Sequence, residues 1–420
     1  MVMRQPGQDQ MTAPSPLSTA EHRASEARLG LASIFGSTFF ELTGYFMLAP
    51  WLLLRLKEAD LPTWLAGLFA ATAWLGIFLV TPFASAITRA LGRRPTLWLS
   101  GLLPVLAGLA FGLTDDLRLW FAVQLLAGMA SGLRWVLAES VVAEFSPPAQ
   151  RGRWIGIFET MVGSTFVVGP TLLAWIGPQS TQSLWAAVAL MLAGLVWSLA
   201  IPPLPPEHDA HEAEVGLRGI WRALREHPVI MLAGFAGGFF ESGLTAILPL
   251  YGLALGLGAA AATLLVSASG LGSSVLMLPA GLLADRLGRH GAGGFWGDSR
   301  QTRLQLMRIF AGITLLGSLL LPWVASTPWL AWPVAFVWGG AGGCLYTLSM
   351  IDIGSRERGI TLVNSTAVLV MSYTLGGVLA PALGGAALQW SPRLGFPVLL
   401  VTVAAMGLAM LLRARIGNRV

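Results

Sequence analysis

The stretch SIFGSTFFELTGYF, residues 33–46, sets a glutamate in the middle of a long apolar run, and GFAGGFFESGLTAI, residues 234–247, does so again with the same Phe-Phe-Glu triplet. A charged side chain at the centre of a bilayer costs from about 2.5 kcal/mol upward, so such a residue ordinarily faces a cavity or a partner. Two such carboxylates in matching places imply a chain built from two like halves.

The surrounding sequence is apolar enough for the bilayer reading. The chain is 55% hydrophobic and 11% charged, with a mean hydropathy of +0.69, where a soluble protein carries about a quarter charged residues. Roughly 20 apolar residues in a helix cross a hydrocarbon core. Twelve runs meet that length: 31–54, 62–87, 95–114, 118–143, 154–176, 183–202, 229–255, 261–284, 305–325, 328–350, 361–388 and 394–412. The expected fold is therefore an all-α membrane protein of twelve transmembrane helices.

Charge placement orients the spans and excludes other classes. The sequence pI of 10.1 would suit a nucleic-acid binder, but the arginines fall in short clusters between apolar runs. With the N-terminus inside, Arg89, Arg93, Arg94, Arg151, Arg153, Arg218, Arg222, Arg225, Arg286, Arg289, Arg300, Arg303, Arg308, Arg356, Arg358, Arg413, Arg415 and Arg419 all lie on the cytoplasmic side. The outside loops then hold Arg55, Lys57, Arg118 and Arg393. Both termini are thus expected in the cytoplasm, and no nucleic acid is expected as a partner. The one cysteine, Cys344, excludes a disulfide framework. All five histidines fall in the tail, the linker or loops, and there is no Walker A motif. No metal, cofactor or enzymatic activity is expected, and transport energy would come from a gradient.

The polar segment 1–28 reads as a disordered cytoplasmic tail, 29–202 as a first six-helix bundle, 203–228 as a cytoplasmic linker and 229–420 as a second bundle. The halves match in order. Phe39-Phe40-Glu41 pairs with Phe239-Phe240-Glu241, Pro50 with Pro249, Pro82 with Pro279, and LGRR at 91–94 with LGRH at 287–290. Further on, Arg151-Gly152 pairs with Arg358-Gly359 and VGP at 168–170 with LAP at 379–381, after the polar insert 291–303 has lengthened the offset. Collinearity carries weight where single matches in so biased a composition do not. Two like halves of six spans are a transporter architecture, with the substrate site between them near the midplane.

The stretch GLLADRLGRH, 281–290, resembles the cytoplasmic signature G-x-x-x-D-R-x-G-R-[RK] of the major facilitator superfamily. The resemblance implies a cytoplasmic gate in which Asp285, Arg286 and Arg289 form a charge latch. Gly281 and Gly288 would allow close helix contact and a tight turn there. The first-half copy keeps Gly92, Arg93 and Arg94 but has Ser85 and Arg89 where the glycine and aspartate stand. Arg151 and Arg358 fall at matching cytoplasmic turns and read as topology anchors or latch partners, with Asp352 and Glu357 as candidate partners. Span four carries Gln124 where the superfamily often has a proton-coupling arginine. With GLRWVLAES (132–140) and RGRWIGIFET (151–160), the chain resembles the YcaD-like bacterial branch. That resemblance implies a multi-pass protein of the bacterial inner membrane, and no particular ligand.

Glu41 lies roughly 15 Å and Glu241 roughly 18 Å into their spans. Thr38 and Tyr45 share a helical face with Glu41, and Thr245 shares one with Glu241. The two carboxylates are expected on the floor of one central site, as proton carriers, as counter-charges for a cation, or as structural groups. Arg134, deep in span four, is expected to pair with Glu159 or Glu139, either stitching spans four and five or acting in gating or substrate binding, and Gln124 on the same span is a further candidate for the substrate or proton site. These residues favour proton-coupled antiport exporting a cationic or lipophilic small molecule. The alternative is a proton symporter importing a sugar or other neutral solute. The partners are then the small-molecule substrate, protons and the lipid bilayer, and the fold works as a monomer.

Overall fold

A computed structural model describes residues 16–145, 151–203, 221, 224–290, 299–356 and 359–413. Among these residues the regular structure is helical throughout. The first half contains α1 (Pro16–Glu58), α2 (Thr63–Val80), α3 (Ala84–Leu91), α4 (Arg93–Leu113), α5 (Leu117–Phe145), α6 (Arg151–Ile176) and α7 (Thr181–Ser198). The second contains α8 (Pro228–Gly238), α9 (Leu248–Ala254), α10 (Ala259–His290), α11 (Ser299–Leu319), α12 (Leu321–Ser326), α13 (Ala331–Arg356), α14 (Gly359–Trp390) and α15 (Gly395–Arg413).

A helix underlies each of the twelve apolar runs. Nine of the described helices are long and apolar enough to cross a membrane, or ten if one bent pair counts as a single span. Several runs end or break differently from expectation. Helix α1 reaches back to Pro16, into the segment read as a tail. The second span is interrupted by a 3-10 turn at Thr81–Phe83, where Pro82 lacks the N–H that would continue an α-helix. The third turns at Gly92, whose φ of 86° suits glycine. The seventh is broken twice: a π-helical turn spans Phe239–Gly243, and the chain bends by 58° before α9. Of the expected linker helix, Trp221 and residues 224–226 are helical and the rest lies outside the described residues.

Glycines let the helices meet backbone to backbone, and they do so alike in both halves. Gly128 of α5 lies against the Ala73 carbonyl of α2, and Gly76 against that of Leu125. In the second half Gly339 of α13 lies against the Ser269 carbonyl of α10, and Gly272 against that of Phe336. The residues on α10 are 196 beyond their counterparts on α2, and those on α13 are 211 beyond theirs on α5. The repeat read from the sequence is thus also a repeat of contacts.

Among the described residues two helix pairs make the largest contacts between the halves. Gly67 of α2 lies against Pro381 and Gly385 of α14, and the Thr63 N–H donates to Gln389 Oε1 at 2.7 Å. Between α6 and α10, Gly270 lies against Phe166, and Ser267 Oγ donates to the Val167 carbonyl at 3.1 Å. One apolar core runs through both halves, from Met47, Phe69 and Leu184 to Phe240, Leu265 and Trp338. The outer face is apolar as well, with Leu68, Leu106, Leu278, Leu316 and Met406 exposed. Water does not tolerate so large an apolar surface on a monomer, whereas hydrocarbon does. The protein is a multi-pass integral membrane protein.

Candidate functional site

The repeated triplet places its two glutamates in different surroundings. Glu41 sits in continuous α-helix and is 3% exposed. Gly194 of α7 lets that helix lie against the Glu41 backbone, while Gly101 of α4 leaves room beside the carboxylate. Arg134 of α5 fills the remaining side: its Nε approaches Glu41 Oε2 to 2.6 Å, and it too is 3% exposed. The approach is off the line of a hydrogen bond. Arg134 Nη2 donates to Ser37 Oγ at 2.9 Å, and Ser37 in turn donates to the Ile34 carbonyl at 3.1 Å.

The sequence reading put Arg134 against Glu139 or Glu159 and did not foresee Glu41 as its partner. Glu139 lies five residues further along α5, about 140° round the helix from Arg134, whereas α1 packs directly against the face that carries Arg134. The side chains of Glu139 and Glu159 lie outside the described residues.

Glu241 lies in the π-helical turn, where the Leu244 N–H reaches five residues back to the Phe239 carbonyl. Gly237 and Gly238 precede it on α8, and their missing side chains admit the backbones of α13 and α14. Around the carboxylate the partners are hydroxyls. Ser273 of α10 donates to Oε1, and Tyr373 of α14 donates to Oε2 at 2.9 Å. The Tyr373 oxygen is also bonded to Ser242. Thr245 donates to the Glu241 carbonyl and accepts from Ser269 Oγ at 3.0 Å. Among the described residues no cation pairs with Glu241, which is partly exposed.

A small cavity of about 50 Å³ lies between the halves, one helical turn beyond the glutamates. Its wall includes Tyr45, Trp74, Gln124, Phe166, Ser242 and Thr245. Tyr45, Gln124 and Thr245 were chosen from the sequence, whereas Trp74, Phe166 and Ser242 were not. Glu41 and Glu241 do not line this cavity, and so do not form its shared floor. Thr38 is buried at 4% within the first half, and its hydroxyl has no partner among the described residues.

At the arginine-rich end, Arg94 stacks over Trp98 at 4.9 Å, Arg93 is half-buried and Arg286 is exposed. Gly281 faces Ile351. Asp352, expected to meet Arg151 or Arg358, pairs with Arg303 at 2.8 Å, because α11 and α13 pack side by side. Arg358 lies outside the described residues and Gly288 lies within α10, while the side chains of Arg151, Asp285 and Arg289 lie outside the described residues. Among the described residues no group of three His, Cys, Asp or Glu could hold a metal ion.

The sequence profile of the Major Facilitator Superfamily matches residues 34–360. The chain belongs to this superfamily. Its relatives include uncharacterized MFS-type transporters. YfkF of Bacillus subtilis is 23% identical over 82% of this chain and 85% of its own length. A Yersinia enterocolitica protein is 28% identical over 86% of this chain and 89% of its own. YcaD of Salmonella paratyphi B is 24% identical over the same two shares. Among solved MFS structures, the nucleoside transporter NupG aligns over 92% of this chain and 98% of its own, with a TM-score of 0.71 at 13% identity. The human organic anion transporter MFSD10 aligns over 92% and 99%, with a TM-score of 0.66 at 17% identity. These two likenesses concern the fold. The protein is an MFS membrane transporter of the YcaD-like kind.

Proposed function

We propose that this transporter is a monomer of the bacterial inner membrane that exports a cationic or lipophilic small molecule in exchange for protons. It works by alternating access between two six-helix bundles, 29–202 and 229–420, joined through 203–228, with both termini in the cytoplasm. The observation that carries the reading is the state of Glu241. It is a partly exposed carboxylate held by neutral hydroxyls, with no cation beside it among the described residues. Such a group can take a proton or face a cationic substrate, but not both at once, and that exclusion is the logic of exchange. Glu41 is already neutralised by Arg134 and holds the first bundle together.

The test uses the purified protein in proteoliposomes with an imposed pH gradient and tetraphenylphosphonium as probe. The gradient should drive the probe against its concentration difference, and Glu241→Gln should abolish that movement. Equal transport by the variant would remove Glu241 from the exchange. A second reading has one observation in its favour: Tyr45, Gln124, Ser242 and Thr245 give the cavity an uncharged polar wall. That wall suits a hydroxylated neutral solute brought in with a proton. Gradient-driven sugar uptake in the same vesicles, without movement of the cation, would establish it.

A further inference from the structure

Tyr373 occupies the point where the Glu241 carboxylate meets the opposite half of the molecule. On one side its hydroxyl donates to Glu241 Oε2 at 2.9 Å and is bonded to Ser242. On the other its ring meets the edge of Trp135 of α5 at 6.2 Å between centroids, and that of Trp74 of α2 at 6.3 Å. Both tryptophans belong to the first half. Trp74 also lies over Gly377, one turn further along α14, where any side chain would displace it. Behind Tyr373, Gly238 packs on its carbonyl, and Tyr346 meets its ring edge-on at 4.8 Å between centroids. The ring is therefore gripped by both halves, and its hydroxyl is attached to the one central carboxylate that the described cations leave free.

A phenol carries a single proton. While Glu241 is ionised it can only accept, so Tyr373 donates to it and Ser242 donates to Tyr373. Once Glu241 carries a proton, its carboxyl can donate to Tyr373, and the phenol proton turns to Ser242. Loading one proton on Glu241 thus reverses the direction of both bonds. A charge-assisted bond to a carboxylate is roughly twice as strong as a neutral one, so loading also weakens the hold on the ring. We propose that Tyr373 is the positioning residue that couples the proton on Glu241 to the packing of the two halves at Trp74 and Trp135. This rests on the reading of Glu241 as the proton-loading group. Among the described residues the other titratable side chains facing this cluster are Tyr346 and Cys344, both on α13. Ser273 holds the opposite carboxylate oxygen, and its other bond, to Met277, stays within its own helix, so it has no comparable contact with the first half.

The experiment measures the separation of the halves, so no substrate is needed. Spin labels are placed at Ala59→Cys and Arg393→Cys, exposed positions in different halves. Cys344, fully buried, stays unlabelled. Distances between labels are compared at pH 5.5 and pH 8.5 in lipid nanodiscs. The unsubstituted background should show a pH-dependent shift in the distance distribution. Glu241→Gln should lose it, and so should Tyr373→Phe, which keeps the ring and its packing but not the hydroxyl. Trp74→Leu, which keeps the hydroxyl and loosens the grip, should give a smaller shift. If Tyr373→Phe shifts like the background while Glu241→Gln does not, the coupling role is wrong and the reading of Glu241 stands. A Tyr373→Phe protein that does not fold leaves Trp74→Leu to decide, and an undiminished shift there overturns the role. If the background itself shows no shift, or Glu241→Gln keeps it, Glu241 is not the group that loads, and both readings fall.

Discussion

Glu41 and Glu241 share a triplet, a span position and an offset of 200, yet one is locked in an ion pair and the other is held by hydroxyls. The residues one turn before each explain the divergence. Ser37 and Thr38 keep α1 regular, and Ser37 helps hold Arg134. Gly237 and Gly238 stand in their places, admit two neighbouring backbones and precede a widened turn. Duplication supplied two similar carboxylates, and local side chains assigned them different work. The first carboxylate faces a cation, and the second faces only hydroxyls among the described residues.

The contrast can be broken most forcefully at Arg134. Arg134→Ala leaves Glu41 buried without its cation, which should cost about 3–5 kcal/mol, seen as a large fall in melting temperature in detergent. Replacing both partners by leucine or methionine should recover most of that loss, because a buried ion pair adds little over good apolar packing. A mild Arg134→Ala phenotype would mean that the two glutamates are less different than described.

Smaller effects are expected around Glu241. Gly238→Ala drives a methyl group into the Tyr373 carbonyl and should cost about 1–3 kcal/mol by overpacking, whereas Thr38→Ala at the matching place should stay within about 1 kcal/mol. Thermal unfolding of the two variants side by side reads the difference. Smallest of all, Glu241→Gln exchanges one hydrogen-bonded polar group for another and should alter stability by about 1 kcal/mol or less. A Glu241→Gln protein that melts like Arg134→Ala would mark Glu241 as structural.

Much of this was legible in the sequence. The apolar runs fixed the helices because a bilayer leaves the backbone little alternative to helix. Phe39-Phe40-Glu41 and its copy at 239–241 announced the repeat, and Tyr45, Gln124 and Thr245, named from the sequence, line the cavity between the halves. Arg134 found Glu41, 93 positions away, because helix phase and the packing of α5 on α1 decide such a contact, and neither is written in spacing. Ser273 was missed because a hydroxyl in a span usually bonds its own helix, as Thr263 and Ser349 do here, and the bond from Tyr373 was hidden because a deep aromatic more often packs in the core. The π-helical turn had a visible trace in Gly237-Gly238, but paired glycines in a membrane helix more often mark close packing.

The junction of α2 and α14 is made of Gly67, Gly385 and one amide-to-amide bond from Thr63 to Gln389, with no charged group in it. The sequence gathers its arginines at the opposite end. Mobile ions weaken attractions between exposed charges and leave uncharged backbone contacts almost untouched. Raising the ionic strength should therefore leave this junction in place.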